Sequence, residues 1–238
     1  MAIAFDTRRV GDIAVVKVRG RIVEGAESAA LQKHLDGLMP YGAHILLHLG
    51  DVEFLDSSGL GLLVRYLTRT RNAHGNLKLC ALSAPIEEVL RVTRLRGAFD
   101  PHETEEAAIA DFYQRRDSAT GSFRFRVDVL CVDFSNDVQA YIRELLGQVG
   151  FGVLTAGNLP DALILLQATK PRLVIIDADL RAAKSTQTAE KFNALADKIA
   201  VLELPQGFSR SEAGQAGQVL VGKVLAAIGA PNPGGPGS

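Results

Sequence analysis

An acid, two hydroxyls and two glycines stand together in Asp56-Ser57-Ser58-Gly59-Leu60-Gly61. The segment follows two apolar stretches, His44 to Leu49 and Val52 to Leu55, and opens a helix-like run from Leu60 to Arg71. Such a position is a strand-to-helix turn, where glycines let the backbone bend and approach its neighbours closely. A serine there caps a helix. A phosphorylated serine there carries nearly two negative charges at the positive end of the helix dipole, where an anion is tolerated. The same charge disrupts an apolar partner pressed against the turn. The chemistry available is therefore capping or a phosphorylation switch.

Two further acids end buried-looking strands. Val129-Leu130-Cys131-Val132 runs into Asp133, with Phe134 next, and Leu173-Val174-Ile175-Ile176 runs into Asp177. In parallel sheets, sites gather at the carboxyl ends of strands. Little else in the chain suggests chemistry. It has no Gly-x-Ser-x-Gly elbow, no phosphate-binding loop and no Cys-x-x-Cys. The five histidines are scattered; His44 and His48 would lie about 13 Å apart along a strand. Cys80 and Cys131 each sit in an apolar run and read as buried, reduced thiols. No enzyme, metal or cofactor is expected. The formal net charge of −1 gives no electrostatic case for nucleic acid or membrane binding. The arginines at 65, 69 and 71 and at 91, 94 and 96 read as solvated helix faces. No signal peptide or membrane-length apolar run is evident, and a cytoplasmic location is expected.

The elements that must position these residues alternate along the chain. The first half reads as a strand at Ile13 to Val18, a helix at Glu27 to Leu38, a strand at His44 to Leu49, the helix from Ser58, a strand at Leu77 to Ala81, and helices near Pro85 to Leu95 and Thr104 to Phe112. That is a mixed sheet covered by helices. The second half reads as strands at 127–132, 153–155, 173–176 and 199–204, with helices at 138–146, 160–168, 188–196 and 214–227. Its continuous apolar strands between helices predict a parallel sheet buried on both faces. The expected division is a first domain at 1–113, a polar linker at 114–124, a second domain at 125–228 and a Pro/Gly-rich disordered tail at 229–238.

Residues 4 to 112 resemble a STAS domain of the bacterial anti-sigma-factor antagonist family. The resemblance rests on Asp56 to Gly61, on Gly20-Arg21-Ile22-Val23 and on the buried strand Leu46 to Leu55. It also rests on Gly75 to Cys80, on Val89 to Leu95, and on Phe99 with Glu105 to Ile109, which resemble a closing strand and a last helix. The resemblance implies that the protein binds a serine-kinase anti-sigma factor and that the kinase phosphorylates Ser57. A metal-dependent serine phosphatase would reverse the mark. It makes Asp56, Ser58, Gly59 and Gly61 the switch loop, with Leu62, Arg65 and Tyr66 on the partner-binding helix. Residues 125 to 228 resemble a degenerate response-regulator receiver of flavodoxin-like α/β fold. Phe134 stands where a receiver has its second acid, removing an oxygen ligand for magnesium. Glu203 stands near the expected hydroxyl position, and the fifth strand with its Lys-Pro pair is not found; Lys223 lies in a helix instead. Asp133, Phe134 and Asp177 then form a degenerate receiver site, and the half serves docking or homodimerisation. Two other readings stay open: an accessory subunit of a lipid-transporting ABC system, and a live response regulator phosphorylated at Asp177.

Overall fold

The computed structural model describes residues 3–119, 127–182, 186–204, 208 and 213–231. The chain forms two compact units, Met1–Phe112 and Tyr113–Ser238. The fold is mixed α/β: a mixed sheet with helices in the first unit and a parallel sheet with helices, of flavodoxin-like kind, in the second.

In the first unit β1 (Ala4–Val10) pairs antiparallel with β2 (Ile13–Ile22). β2 pairs parallel with β3 (His44–Leu55), and β3 parallel with β4 (Asn76–Cys80), giving the order β1-β2-β3-β4. The strands carry β-branched and leucine residues at alternate positions, so one set of side chains faces the main core. That core joins Val16, Val18, Ile22, Ile45, Leu47, Leu77 and Leu79 to Leu31 and Leu35 of α1 (Ala26–Leu38) and to Leu62, Leu63, Tyr66 and Leu67 of α2 (Ser57–Asn72). Between Leu77 and Leu79, Lys78 points the other way and meets Asp111 of α5 (Glu105–Ala119). α3 (Ala84–Val92) adds Ile86 and Leu90 to the main core.

Several boundaries differ from expectation. The two short segments at 44–49 and 52–55 are one continuous strand, β3. The anticipated closing strand near Phe99 is instead a helical turn, α4 (Arg96–Phe99), whose Phe99 enters the core. Asp100 follows in the left-handed conformation, and the sheet is extended there only by a single bridge from Cys80 to His102. Residues 114–119, expected as linker, continue α5; residues 120–124 lie outside the described residues. The tail expected at 229–238 likewise falls outside them beyond residue 231.

In the second unit the strands are β5 (Val129–Val132), β6 (Val153–Ala156), β7 (Leu173–Asp177) and β8 (Ala200–Leu204). They form an all-parallel sheet in the order β6-β5-β7-β8. Every residue of β5 and β6 is buried, as expected of strands covered on both faces. The connecting helices are α6 (Asn136–Gln148), α7 (Leu159–Thr169), α8 (Ala178–Ala182) and α9 (Gln187–Ala196), with α10 (Ala213–Ile228) last. Side-chain caps from Ser135, Asn158 and Thr186 start α6, α7 and α9. Among the described residues the sheet has four strands, with no fifth after β8.

Candidate functional site: the turn between β3 and α2

The site is built where β3 ends and α2 begins. The N-cap is Asp56, whose Oδ1 accepts the Gly59 N–H at 2.8 Å. Its Oδ2 accepts the Glu24 N–H at 2.8 Å, from the loop leaving β2. The Asp56 N–H in turn donates to the Ile22 carbonyl at 3.2 Å. One carboxylate thus ties the first turn of α2 to the end of β2, across a gap of 32 residues in sequence. These bonds, Gly59 first and Glu24 next, hold the Asp56 carboxyl below the usual carboxylate range.

The close fit needs Gly59. A Cβ there would lie 2.5 Å from the Ile22 carbonyl oxygen and 2.7 Å from Leu55 Cδ1. Gly61 is different: nothing lies within 4 Å of its would-be Cβ, and it is exposed. The two glycines of the motif therefore do different things. Gly59 admits the strand end, while Gly61 keeps the helix surface bare.

Ser57 and Ser58 are both exposed in the first turn of α2. Because Asp56 supplies the cap, neither serine is spent on it, contrary to the simplest reading of a Ser-Ser-Gly turn. Among the described residues, no hydrogen bond holds either hydroxyl. Along α2 the exposed positions are 57, 58, 61, 65, 68, 69, 71 and 72, and the buried ones 59, 62, 63, 66, 67 and 70. This corrects the expectation that Leu62 and Tyr66 contact a partner. They are 3% and 0% exposed and belong to the core. The Tyr66 hydroxyl donates to Asp36 Oδ1 at 2.6 Å and to the Gln32 carbonyl at 2.9 Å, which locks α2 against α1. Burial, then the Asp36 carboxylate, pushes its phenol up to about 12. Arg65 is exposed and donates to Gln32 Oε1 at 3.0 Å. The helical phase of the apolar residues alone separates these two sets.

Beside the turn, Arg21 pairs in register with Phe54 across β2 and β3. The Arg21 guanidinium carbon lies 5.3 Å from the Phe54 ring centroid, and Phe54 is 47% exposed. Sequence reasoning passed over both residues as a functional pair. Their pairing depends on register shifts near Gly20, where φ is +95°, a conformation that favours glycine.

A second cluster also escaped sequence reasoning. Asp100, His102 and Asp111 bring ligand-type atoms within 4.8 Å of one another. The buried Lys78 ammonium already sits on the Asp111 carboxylate, with Phe112 beneath it at 5.3 Å. A cation is thus built into the cluster, and a divalent metal fits it poorly.

In the second unit Asp133 and Asp177 stand side by side at the ends of β5 and β7, one step beyond the paired Val132 and Ile176. Asp133 Oδ1 accepts the Ser135 N–H at 2.7 Å. Its carboxyl is pushed up by burial first, and also by the Asp177 charge, against the pull of that N–H. Asp177 Oδ1 accepts the N–H groups of Asp179 at 2.9 Å and Leu180 at 3.1 Å. Both acids therefore hold backbone. Phe134 is 66% exposed and offers no ligand atom. Glu203 pairs in register with Ile176 and lies 3.8 Å from Arg181. Both cysteines are free and buried.

Within the first unit, residues 4–108 match the STAS domain family. The anti-sigma-B factor antagonist of Bacillus subtilis is 28% identical over 109 residues, covering 46% of this chain and 99% of that protein. The anti-sigma factor antagonist SpoIIAA in its unphosphorylated form is 23% identical with a TM-score of 0.40, covering 49% of this chain and 100% of that one. An anti-sigma factor antagonist from Mycobacterium paratuberculosis is 20% identical with a TM-score of 0.43, covering 47% and 94%. Among the described residues, no helix is long and apolar enough to cross a membrane.

Proposed function

We propose that the protein is a regulatory binding protein, an anti-sigma factor antagonist whose partner is a serine-kinase anti-sigma factor and whose switch is Ser57. The observation that carries this reading is the division of labour at the turn. Asp56 caps α2, so the exposed Ser57 hydroxyl at its first residue is left for other chemistry. The name of the Bacillus subtilis relative, an anti-sigma-B factor antagonist, supports an anti-sigma factor as partner. The bare state binds through the exposed face of α2: Ser57, Ser58, Gly61 and Arg65. Partner-bound ATP then supplies the γ-phosphoryl group. A bond forms from Ser57 Oγ to phosphorus, the bond to the ADP oxygen breaks, and the hydroxyl proton leaves to a base on the kinase. The product carries about two added negative charges at neutral pH. A partner surface fitted to a neutral serine then meets repulsion and desolvation cost. A metal-dependent phosphatase restores the hydroxyl.

The second unit is, on this reading, a receiver-like module without phosphoryl chemistry, used for docking or for pairing with a second copy. Phe134 supplies no oxygen for magnesium, and Asp133 and Asp177 are engaged with backbone N–H groups. The test is affinity capture from host lysate with wild-type and Ser57→Asp chains side by side. A kinase-type ATPase held by the first and lost by the second is expected. Equal recovery of one partner by both would make the turn a passive docking surface. Co-recovery of an ATPase with a permease would point to lipid transport. Labelling by acetyl phosphate with magnesium that is lost in Asp177→Asn would show a live receiver.

A further inference from the structure

We propose that Arg21 reads the charge state of Ser57, leaving the Phe54 ring to pair with the phosphate when Ser57 is phosphorylated. This rests on the reading of Ser57 as a phosphoacceptor and goes beyond it, since it assigns the group that answers the modification. Arg21 is exposed, and its guanidinium stacks over Phe54 at 5.3 Å. It has no carboxylate partner among the described residues. Its place in the fold is fixed from both sides. The next residue, Ile22, gives its carbonyl to the Asp56 N–H at 3.2 Å, and Glu24 donates to Asp56 Oδ2 at 2.8 Å. Ser57 follows Asp56 directly, and the Arg21 charge already acts on the Asp56 carboxyl. The backbone bonds thus start the long Arg21 side chain one residue from the carbonyl that holds Asp56, within reach of residue 57, with an aromatic face to leave.

The chemistry favours the exchange. Guanidinium is planar and matches phosphate oxygens two at a time, and the paired hydrogen bonds are charge-assisted. An exposed cation–π contact is the weaker of the two interactions. Phosphorylation then changes the surface in two ways at once. The added charge is partly met within the chain, and Phe54, already 47% exposed, loses its cover. A partner fitted to the Arg21–Phe54 pair in the bare state meets a different surface in the phosphorylated one. The switch becomes a rearrangement beside the serine as well as a repulsion at it.

The test places phosphoserine at position 57 of the full chain by translational incorporation and follows its second ionisation by ³¹P NMR. Wild type is expected to titrate about half a pH unit or more below Arg21→Gln, a roughly three-fold change in proton affinity, because a nearby cation favours the dianion. The Asp56 and Glu24 charges and the α2 amides are common to both chains and cancel in the comparison. Phe54→Leu, which leaves Arg21 without its aromatic seat, is expected to titrate below wild type. Coincident curves for wild type and Arg21→Gln overturn the proposal, as does a Phe54→Leu value at or above wild type. No kinase or sigma partner enters this measurement, so its failure is separate from failure of the partner-switching reading.

Discussion

The two glycines of the motif make opposite predictions for the same substitution. Replacing glycine by alanine inside a helix gains about 0.8–1 kcal/mol of helix propensity. At Gly61 nothing opposes that gain, because the new Cβ meets open space. Gly61→Ala is expected to stabilise the first unit by about 0.5–1 kcal/mol. At Gly59 the new Cβ would sit 2.5 Å from the Ile22 carbonyl oxygen, 2.7 Å from Leu55 Cδ1 and 2.8 Å from Ile22 Cγ2. The carbonyl cannot rotate away, since it also accepts the Asp56 N–H. Overpacking of this kind costs about 1–3 kcal/mol, so Gly59→Ala is expected to destabilise by up to about 2 kcal/mol net of the propensity gain. The two variants should then differ by about 2 kcal/mol, or roughly 8 °C in melting midpoint for a unit of this size. A chain with two units need not unfold in one step. The assay is therefore hydrogen exchange against urea, read on peptides from β2, β3 and α2. A Gly59→Ala chain at least as stable as wild type would refute the close approach of α2 to β2.

Three further outcomes follow from named contacts. Tyr66→Phe loses the bonds to Asp36 and to the Gln32 carbonyl and should cost about 1–2 kcal/mol. In ultraviolet titration it should also remove a phenol that ionises near 12; an unchanged high-pH component would contradict the assignment. The Asp56 carboxyl is depressed in the folded state. Its contribution is full above the unfolded value of about 4 and is lost as pH falls through the lower folded value. Asp56→Asn, which can still cap α2, should therefore flatten the acid limb of urea midpoints measured from pH 2 to 6; identical limbs would count against that role. Asp111→Ala leaves the Lys78 ammonium, 2% exposed, without its carboxylate, which should cost about 3 kcal/mol. The pair Lys78→Met with Asp111→Ala should recover much of that loss in thermal melts, and an additive loss would show that the charge pair is not coupled.

Much of the α/β order is legible because apolar runs such as 129–132 and 173–176 are continuous and bounded by turn residues. The turn at 56–61 is legible because its residue types have few other uses. β1 is not: Ala4–Val10 is an edge strand exposed at most positions, so no alternation marks it. Phe99 misleads because an aromatic among apolar residues fits a strand as well as a core-facing helical turn. Leu62 and Tyr66 belong to the core rather than to a partner surface, as their helical phase with Leu63 and Leu67 dictates. The bonds that shape the site join residues distant in sequence, Glu24 to Asp56 and Lys78 to Asp111. Such pairs follow from strand order and register, which local patterns do not carry. Arg21 and Phe54 meet for the same reason.

The most direct test of the central claim is the dissociation constant of the captured kinase for Ser57→Ala and Ser57→Asp chains, measured by calorimetry under identical salt. Ser57→Ala is expected to bind as wild type does, and Ser57→Asp at least ten-fold more weakly, about 1.4 kcal/mol. Equal affinities for the two variants would contradict a switch at Ser57 and leave the turn as a docking surface alone.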